Sequence, residues 1–247
     1  MPRRIDPNDI RAILRRDPVW SVYALGDLEP GMEAKARWFA PDLTLVLRDY
    51  GTSILFAIGT GSVREALDHV TWPVHLQVQA DALEEVARHA PVTDTRSMWR
   101  MGWSGTPPRV GHQTATRLGA SDLPELRRLY ADGDETGEAP DFFFPSMVTD
   151  GVFFGIYADE ALVAAAGTHL LSRRERVATI GNVYTRRDVR GRGLGRIATS
   201  AVLEALADID TIGLNVRVDN YAAIRVYESL GFVRHCPFYE ALATRNR

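Results

Sequence analysis

The sequence predicts an α/β (α+β) protein built as two successive units, and three observations carry that expectation. Short apolar runs of strand length alternate with segments of helical spacing, and the alternation occurs twice along the 247 residues. Between the two series, Trp103-Ser104-Gly105-Thr106-Pro107-Pro108-Arg109 combines a glycine with two prolines, which continue neither a helix nor a central strand. In the second series, three alternating glycines stand between a strand and a helix. The expected boundaries are a first unit over 1–105, a linker over 106–111 and a second unit over 112–247.

In the first unit, Ile10, Ile13, Leu14, Val19, Val22 and Leu25 give helical spacing between Asn8 and Leu28, broken near Pro18. Leu43 to Leu47 and Ile54 to Ile58 read as strands around the turn Asp49-Tyr50-Gly51. Ser62-Val63-Arg64-Glu65 has the form of a capping box opening a helix toward Val70. Val74 to Val78 is a strand, Ala80 to His89 an amphipathic helix and Arg96 to Trp103 a further strand.

The second unit restarts the pattern with a strand at Thr114 to Leu118. Asp122-Leu123-Pro124-Glu125 then opens a helix to about Tyr130, with a capping acid, a first-turn proline and an acid at the third position. Gly151 to Tyr157 and Leu162 to Leu170 form a hairpin through Ala158-Asp159-Glu160, and Val177 to Thr185 follows as a strand. A helix over Arg192 to Leu206, a strand over Ile212 to Val216, a helix over Tyr221 to Leu230 and a strand over Phe232 to Tyr239 complete the series.

Composition sets outer limits on function. With 45% hydrophobic and 25% charged residues the chain can bury a core, which excludes a disordered protein. Twenty-nine basic against 32 acidic residues leave a net charge of −3, so no global field attracts nucleic acid or an anionic membrane. The one cysteine, Cys236, cannot form an internal disulfide. The start Met-Pro-Arg-Arg-Ile-Asp lacks an apolar signal core, and no run reaches the roughly 18 apolar residues that span a bilayer. A cytoplasmic protein is expected. The six histidines and Cys236 show no metal-ligand spacing, and the adjacent His235 and Cys236 leave opposite faces of a strand, so no metal is expected.

Chemistry concentrates at Arg190-Gly191-Arg192-Gly193-Leu194-Gly195-Arg196, behind the strand end Val183-Tyr184-Thr185. Glycines there admit positive φ and close backbone approach. The free N–H groups and dipole of the following helix then favour an anion such as a pyrophosphate. A P-loop needs Lys-Ser/Thr after the last glycine, where Arg196-Ile197 stands. A dinucleotide fold needs G-x-G-x-x-G tight against its strand, but the spacing here is G-x-G-x-G with Arg186 to Arg190 intervening.

The segment resembles the coenzyme A signature Q/R-x-x-G-x-G/A of the GNAT superfamily of N-acetyltransferases. A second match lies 25 residues on, where Asn215 to Phe232 is similar to that family's strand, asparagine, tyrosine-bearing helix and closing Gly-Phe. The resemblance covers about 112–247 and implies a GNAT-like acyl-CoA N-acyltransferase fold. That fold has a central, mostly antiparallel mixed sheet flanked by helices, here with a smaller N-terminal α/β domain. It also implies acetyl-CoA as co-substrate and an amine acceptor, a small molecule or a peptide; charge and segment pattern give no support for nucleic acid or membrane as partner. Val183, Tyr184, Thr185 and residues Arg190 to Arg196 would hold the cofactor, Asn220 would touch its arm, and Tyr227 would protonate the leaving thiolate. Whether the chain forms a homodimer is left open.

Two departures from the family pattern stand out. The strand position that often carries a glutamate base is Ala178. An alternative reading is therefore a non-catalytic coenzyme A-binding regulatory or scaffold protein. The loop Asp132 to Glu138 falls where the family builds its acceptor pocket, so Asp134 and Glu135, with Phe143 and His169, are the substrate-site candidates. Gly59, Gly61 and Ser62 follow a strand of the first unit much as the glycine turn does in the second, which suggests a degenerate tandem copy.

Overall fold

The computed structural model describes residues 5–49, 51–106, 115–140 and 142–245. Two compact units emerge. The first holds residues 1–100, 216–219 and 235–247, and the second holds 101–215 and 220–234. The expected division at 106–111 cut the chain once. The contacts instead return the C-terminal segment to the first unit, where it runs antiparallel to a central strand. Of the expected linker only Thr106 lies among the described residues.

The first unit opens with helix α1 (Pro7–Leu14), started by proline in its first turn and capped by Asp6, whose carboxylate accepts from Asn8 N at 2.7 Å. The expected long helix stops there. Pro18 lacks an N–H, and the Asp17 carboxylate accepts from Trp20 N at 3.0 Å, so the chain turns before α2 (Val22–Gly26). Strands β1 (Ala36–Phe39), β2 (Thr44–Asp49) and β3 (Thr52–Ala57) follow, then α3 (Val63–Leu67), β4 (Val74–Val78), α4 (Ala80–Ala87) and β5 (Val92–Trp103). β1 was not legible in the sequence, because its four residues alternate too briefly to register. The expected capping box also fails, since the Ser62 hydroxyl is buried against Thr44 Oγ1 at 2.8 Å and caps nothing.

The second unit contains β6 (Ala115–Arg117), α5 (Leu123–Ala131), α6 (Pro145–Asp150), β7 (Phe153–Ala158), β8 (Ala161–Ser172), β9 (Val177–Thr185), α7 (Leu194–Ala205), β10 (Thr211–Arg217), α8 (Tyr221–Ser229) and β11 (Phe232–Ala243). The ends of β5, β10 and β11 divide between the units. Asp122 does not cap α5. Its carboxylate accepts from Gly119 N at 2.8 Å and from the Tyr157 hydroxyl at 2.9 Å. The expected hairpin turn is present, with Asp159 and Glu160 both at positive φ, as a tight turn matching strand twist requires.

Each unit repeats one wiring. In the first, β1 and β2, then β2 and β3, pair antiparallel, α3 crosses over, and β4 lies parallel to β3 with Ser53 opposite Val74. In the second, β7 and β8, then β8 and β9, pair antiparallel, α7 crosses over, and β10 lies parallel to β9 with Val177 opposite Thr211. β11 closes the first unit's sheet antiparallel to β4, from Tyr239 opposite Val78 to Ala243 opposite Val74. The first core gathers Val46, Leu55, Leu76, Val78, Val86 and Ala243. The second gathers Leu126, Leu129, Tyr130, Phe153 and Tyr184, with Phe142, Phe143 and Phe144 packed against it.

Candidate functional site

The site is built inside the second unit where two parallel strands separate. The ladder between β9 and β10 runs from Val177 opposite Thr211 to Ile180 opposite Leu214. β9 continues to Thr185 along β8 on its other side. Beyond Ile180 the chain bends, with Asn182 at φ +52° and its carbonyl turned to accept from the Tyr130 hydroxyl at 2.9 Å. Asparagine is among the few residues that tolerate this region, and a bulge re-aims the strand it interrupts. Sequence reasoning passed over Asn182. The signal was the Gly181-Asn182 pair inside an apolar run.

The three glycines divide the work of the turn that follows. Gly191 and Gly193 sit at φ +79° and +76°, conformations that L side chains rarely adopt, and neither is crowded. Gly195 has ordinary φ, but a Cβ there would come within 3.1 Å of Thr185 Oγ1, so it permits close approach of helix to strand. Gly193 caps α7, whose first helical bond runs from Ile197 N to the Gly193 carbonyl. Helix geometry leaves the N–H groups of Leu194, Gly195 and Arg196 without acceptors inside α7, beside the positive end of its dipole.

Most of the nearby arginines are already paired. Arg186 holds Asp188, and Arg187 lies 3.5 Å from Asp132. Arg190 reaches Glu138 at 3.1 Å, donates to the Thr185 carbonyl at 3.1 Å and lies over the Tyr184 ring. Arg192 and Arg196 have no carboxylate partner among the described residues, and Arg196 Nε is buried without an acceptor. The Tyr184 ring is buried in the core beneath Arg190, and its hydroxyl reaches Asp132.

The loop expected to line an acceptor pocket divides as well. Asp134 and Glu135 are exposed, but Asp132 and Glu138 turn toward the glycine segment. Asp132 Oδ2 accepts from the Tyr184 hydroxyl at 2.9 Å and from Arg187 N at 3.0 Å. The Arg187 N–H, followed by the Tyr184 hydroxyl and the Arg187 charge, holds its carboxyl below the usual range. Asp132 thus ties the end of α5 to the start of the turn. On the expectation that the turn holds acetyl-CoA, Asp132→Ala should raise its KM about 5- to 30-fold, as loss of roughly 1–2 kcal/mol implies, while kcat moves less than about threefold in steady-state kinetics.

Phe143 packs edge-on against Tyr130, with ring centroids 5.0 Å apart, as part of the core wall. His169 stacks over Gly181, where an added Cβ would lie 2.3 Å from its ring. Burial pushes its pKa down to about 4, against the opposing effect of its bond to Asn182. The unfolded chain therefore binds this proton from about pH 6.5 downward while the folded protein does not. Stability should fall by about 2–3 kcal/mol as pH drops from 6.5 to 4, and denaturant midpoints of His169→Gln should lack that component.

Asn220 caps α8, its side-chain oxygen accepting from Ala223 N at 3.1 Å. Tyr227 is 9% exposed and meets Phe232 edge-on at 5.9 Å. Burial pushes its hydroxyl up to about 12, so it keeps its proton at neutral pH. Ala178 is fully buried. The corresponding turn in the first unit is filled from within. Asp42 Oδ2 accepts from Gly61 N at 3.0 Å, and a Cβ on Gly59 or Gly61 would collide with the Asp42 side chain. Among the described residues no group of acidic, histidine and cysteine side chains is placed to hold a metal ion, and no helix is long and apolar enough to cross a membrane.

Comparison with known proteins agrees with this geometry. A mycothiol acetyltransferase of Tsukamurella paurometabola is 37% identical over 100 residues, 38% of this chain and 34% of that protein. The match thus spans about a third of that relative's length. The [ribosomal protein bS18]-alanine N-acetyltransferase of Salmonella typhimurium is 30% identical over 121 residues, 48% of this chain and 80% of that protein. An acetyltransferase structure of the GNAT family from Novosphingobium aromaticivorans superposes with a TM-score of 0.68 at 21% identity, covering 98% of this chain and 100% of that one. The acetyltransferase (GNAT) family profile matches residues 121–232, the span that holds the glycine turn, Asn220 and Tyr227, and the chain belongs to that family.

Proposed function

We propose that this protein is an N-acetyltransferase that moves the acetyl group of acetyl-CoA directly to an amine of a small molecule or peptide. The observation that carries this reading is the turn Gly191 to Gly195 at the separated end of β9, beside the first N–H groups of α7, which have no acceptor within the helix. Those donors, with Arg192 and Arg196 as the uncommitted cations, suit a pyrophosphate. Val183 and Thr185 offer the strand edge along which the pantetheine arm would pair, and Asn220, at the start of α8, would touch that arm. Acetyl-CoA supplies the activated thioester. Tyr227 holds a proton for the leaving sulfur, and a strand N–H near the bulge stabilises the oxyanion.

With Ala178 in place of a carboxylate, the amine loses its proton to solvent before or during attack. No covalent enzyme intermediate is required, and Cys236 falls in the first unit. The negative charge of Asp134 and Glu135 favours a cationic acceptor. The first unit reads as a degenerate copy of the second, on its repeated strand and helix order and its internally filled turn. We read the compartment as the cytoplasm, from cysteine usage. Incubating the protein with acetyl-CoA and a panel of amines tests the reading: thiol release should depend on the amine. Tight binding of acetyl-CoA with no acceptor-dependent release from a broad panel would favour the coenzyme A-binding scaffold instead.

A further inference from the structure

The first unit contains a buried cation whose hydrogen-bonding capacity is unused. Arg100, on β5, is fully buried, and none of its three guanidinium nitrogens has a hydrogen-bond partner. Its guanidinium carbon lies 4.8 Å from the ring centroid of Tyr23, 5.1 Å from Phe238 and 5.2 Å from Trp20. Ring faces attract the charge but accept nothing from the N–H groups, which radiate in the guanidinium plane. An arginine cannot escape by losing its proton, so burial leaves it in need of acceptors.

Other polar atoms, on the segment that carries Trp20, are unused as well. Trp20 Nε1 and Ser21 Oγ are also buried without partners. The acidic groups whose fields reach Arg100 are Glu240 and Asp17, with Tyr23 and Cys236 also facing it. Asp17 already accepts from Trp20 N and pairs with His235 at 2.8 Å, and Glu240 has an interaction of its own. Tyr23, Cys236 and Glu240 are only half-buried, so the cluster meets solvent along that rim. A guest that satisfies such a set has two coplanar acceptor oxygens and negative charge, the complement of a guanidinium fork.

We propose that the first unit is a binding site for a small carboxylate, received by Arg100 between Trp20, Tyr23 and Phe238, with the Trp20 indole N–H as second donor. This site is independent of the acetyl-CoA site in the second unit and is tested without it. Acetate and benzoate, with acetamide and benzamide as uncharged counterparts, are titrated into the full-length protein by calorimetry, thermal shift and the NMR signal of the Arg100 side-chain N–H. The carboxylates should bind, raise Tm with concentration and move that signal, and the amides should bind at least tenfold more weakly.

Arg100→Met should abolish carboxylate binding while the protein stays folded, because apolar residues often replace buried charges without loss. Trp20→Phe keeps the ring stack and removes one N–H. It should weaken binding about tenfold and decides the matter if Arg100→Met fails to fold. Absence of carboxylate binding to the wild type, equal binding of amides, or full binding by Trp20→Phe would each overturn the proposal.

Discussion

Gly193→Val is expected to weaken acetyl-CoA binding at least a hundredfold, whereas Arg192→Ala should weaken it no more than about fivefold. The difference follows from what each residue contributes. Gly193 sits at φ +76° at the start of α7, and a Cβ there meets no atom within 4 Å. Valine is therefore excluded by backbone conformation, since a left-handed L-residue costs roughly 1–2 kcal/mol and a β-branched one more. The turn will relax, and the N–H groups of residues 194–196 move with it. Each hydrogen bond to a charged acceptor is worth about 1.5–3 kcal/mol, so misdirecting two of them removes about 3–6 kcal/mol, a hundredfold or more. Arg192 is exposed, where a charge contact contributes about 0–1 kcal/mol. Calorimetric titration of both variants reads the order directly, and Gly193→Asn, which tolerates the left-handed region, should fall between them. The wild type should bind one acetyl-CoA per chain, because Asp42 already fills the corresponding turn of the first unit. A larger loss in Arg192→Ala than in Gly193→Val would reverse the assignment of backbone over side chain.

What the sequence disclosed and what it hid follow from the range of the interactions. β9, predicted over Val177 to Thr185, and β4, predicted over Val74 to Val78, agree with the structure residue for residue, because both are strand-length runs whose buried residues are mostly apolar. Gly191 and Gly193 were legible as positive-φ positions because a backbone demand is written in a single residue. Hydrogen bonds to distant partners were not legible. Ser62 and Asp122 both looked like helix caps, but their oxygens are taken by Thr44 and by Tyr157, partners 18 and 35 residues away. Asp132 and Glu138 were grouped with Asp134 and Glu135 by adjacency, yet the fold turns the first pair onto Arg187 and Arg190, 55 and 52 residues on. Arg100 gave no signal at all, since an arginine in an alternating strand reads as solvent-facing until three aromatic rings from elsewhere enclose it. The return of β11 to the first unit was equally hidden, because strand pairing beyond one hairpin leaves no local mark.

Tyr227→Phe is expected to lower kcat about 10²- to 10⁴-fold while KM for acetyl-CoA stays within about threefold. The substitution removes one oxygen and keeps the ring, whose contact with Phe232 and burial on α8 are apolar. Stability should therefore change little, and a drop in Tm comparable to that of a core truncation would point to a packing role. Burial pushes the pKa of the phenol up to about 12 and keeps it protonated at working pH, so a proton is present for the leaving sulfur. In the proposed reaction a thiolate leaving without a proton would do so as an anion in a low-dielectric site, which is the step the hydroxyl would ease. The donor is uncharged and contributes little to ground-state binding, so its removal should appear in kcat rather than KM. The wild-type rate should also show no loss of an essential acid up to about pH 10, two units below the Tyr227 value, whereas a solvent-exposed phenol would begin to titrate there. Unchanged kcat in Tyr227→Phe would remove the residue from proton transfer. An equal fall in kcat and in acetyl-CoA affinity would assign it to shaping the cofactor cleft instead.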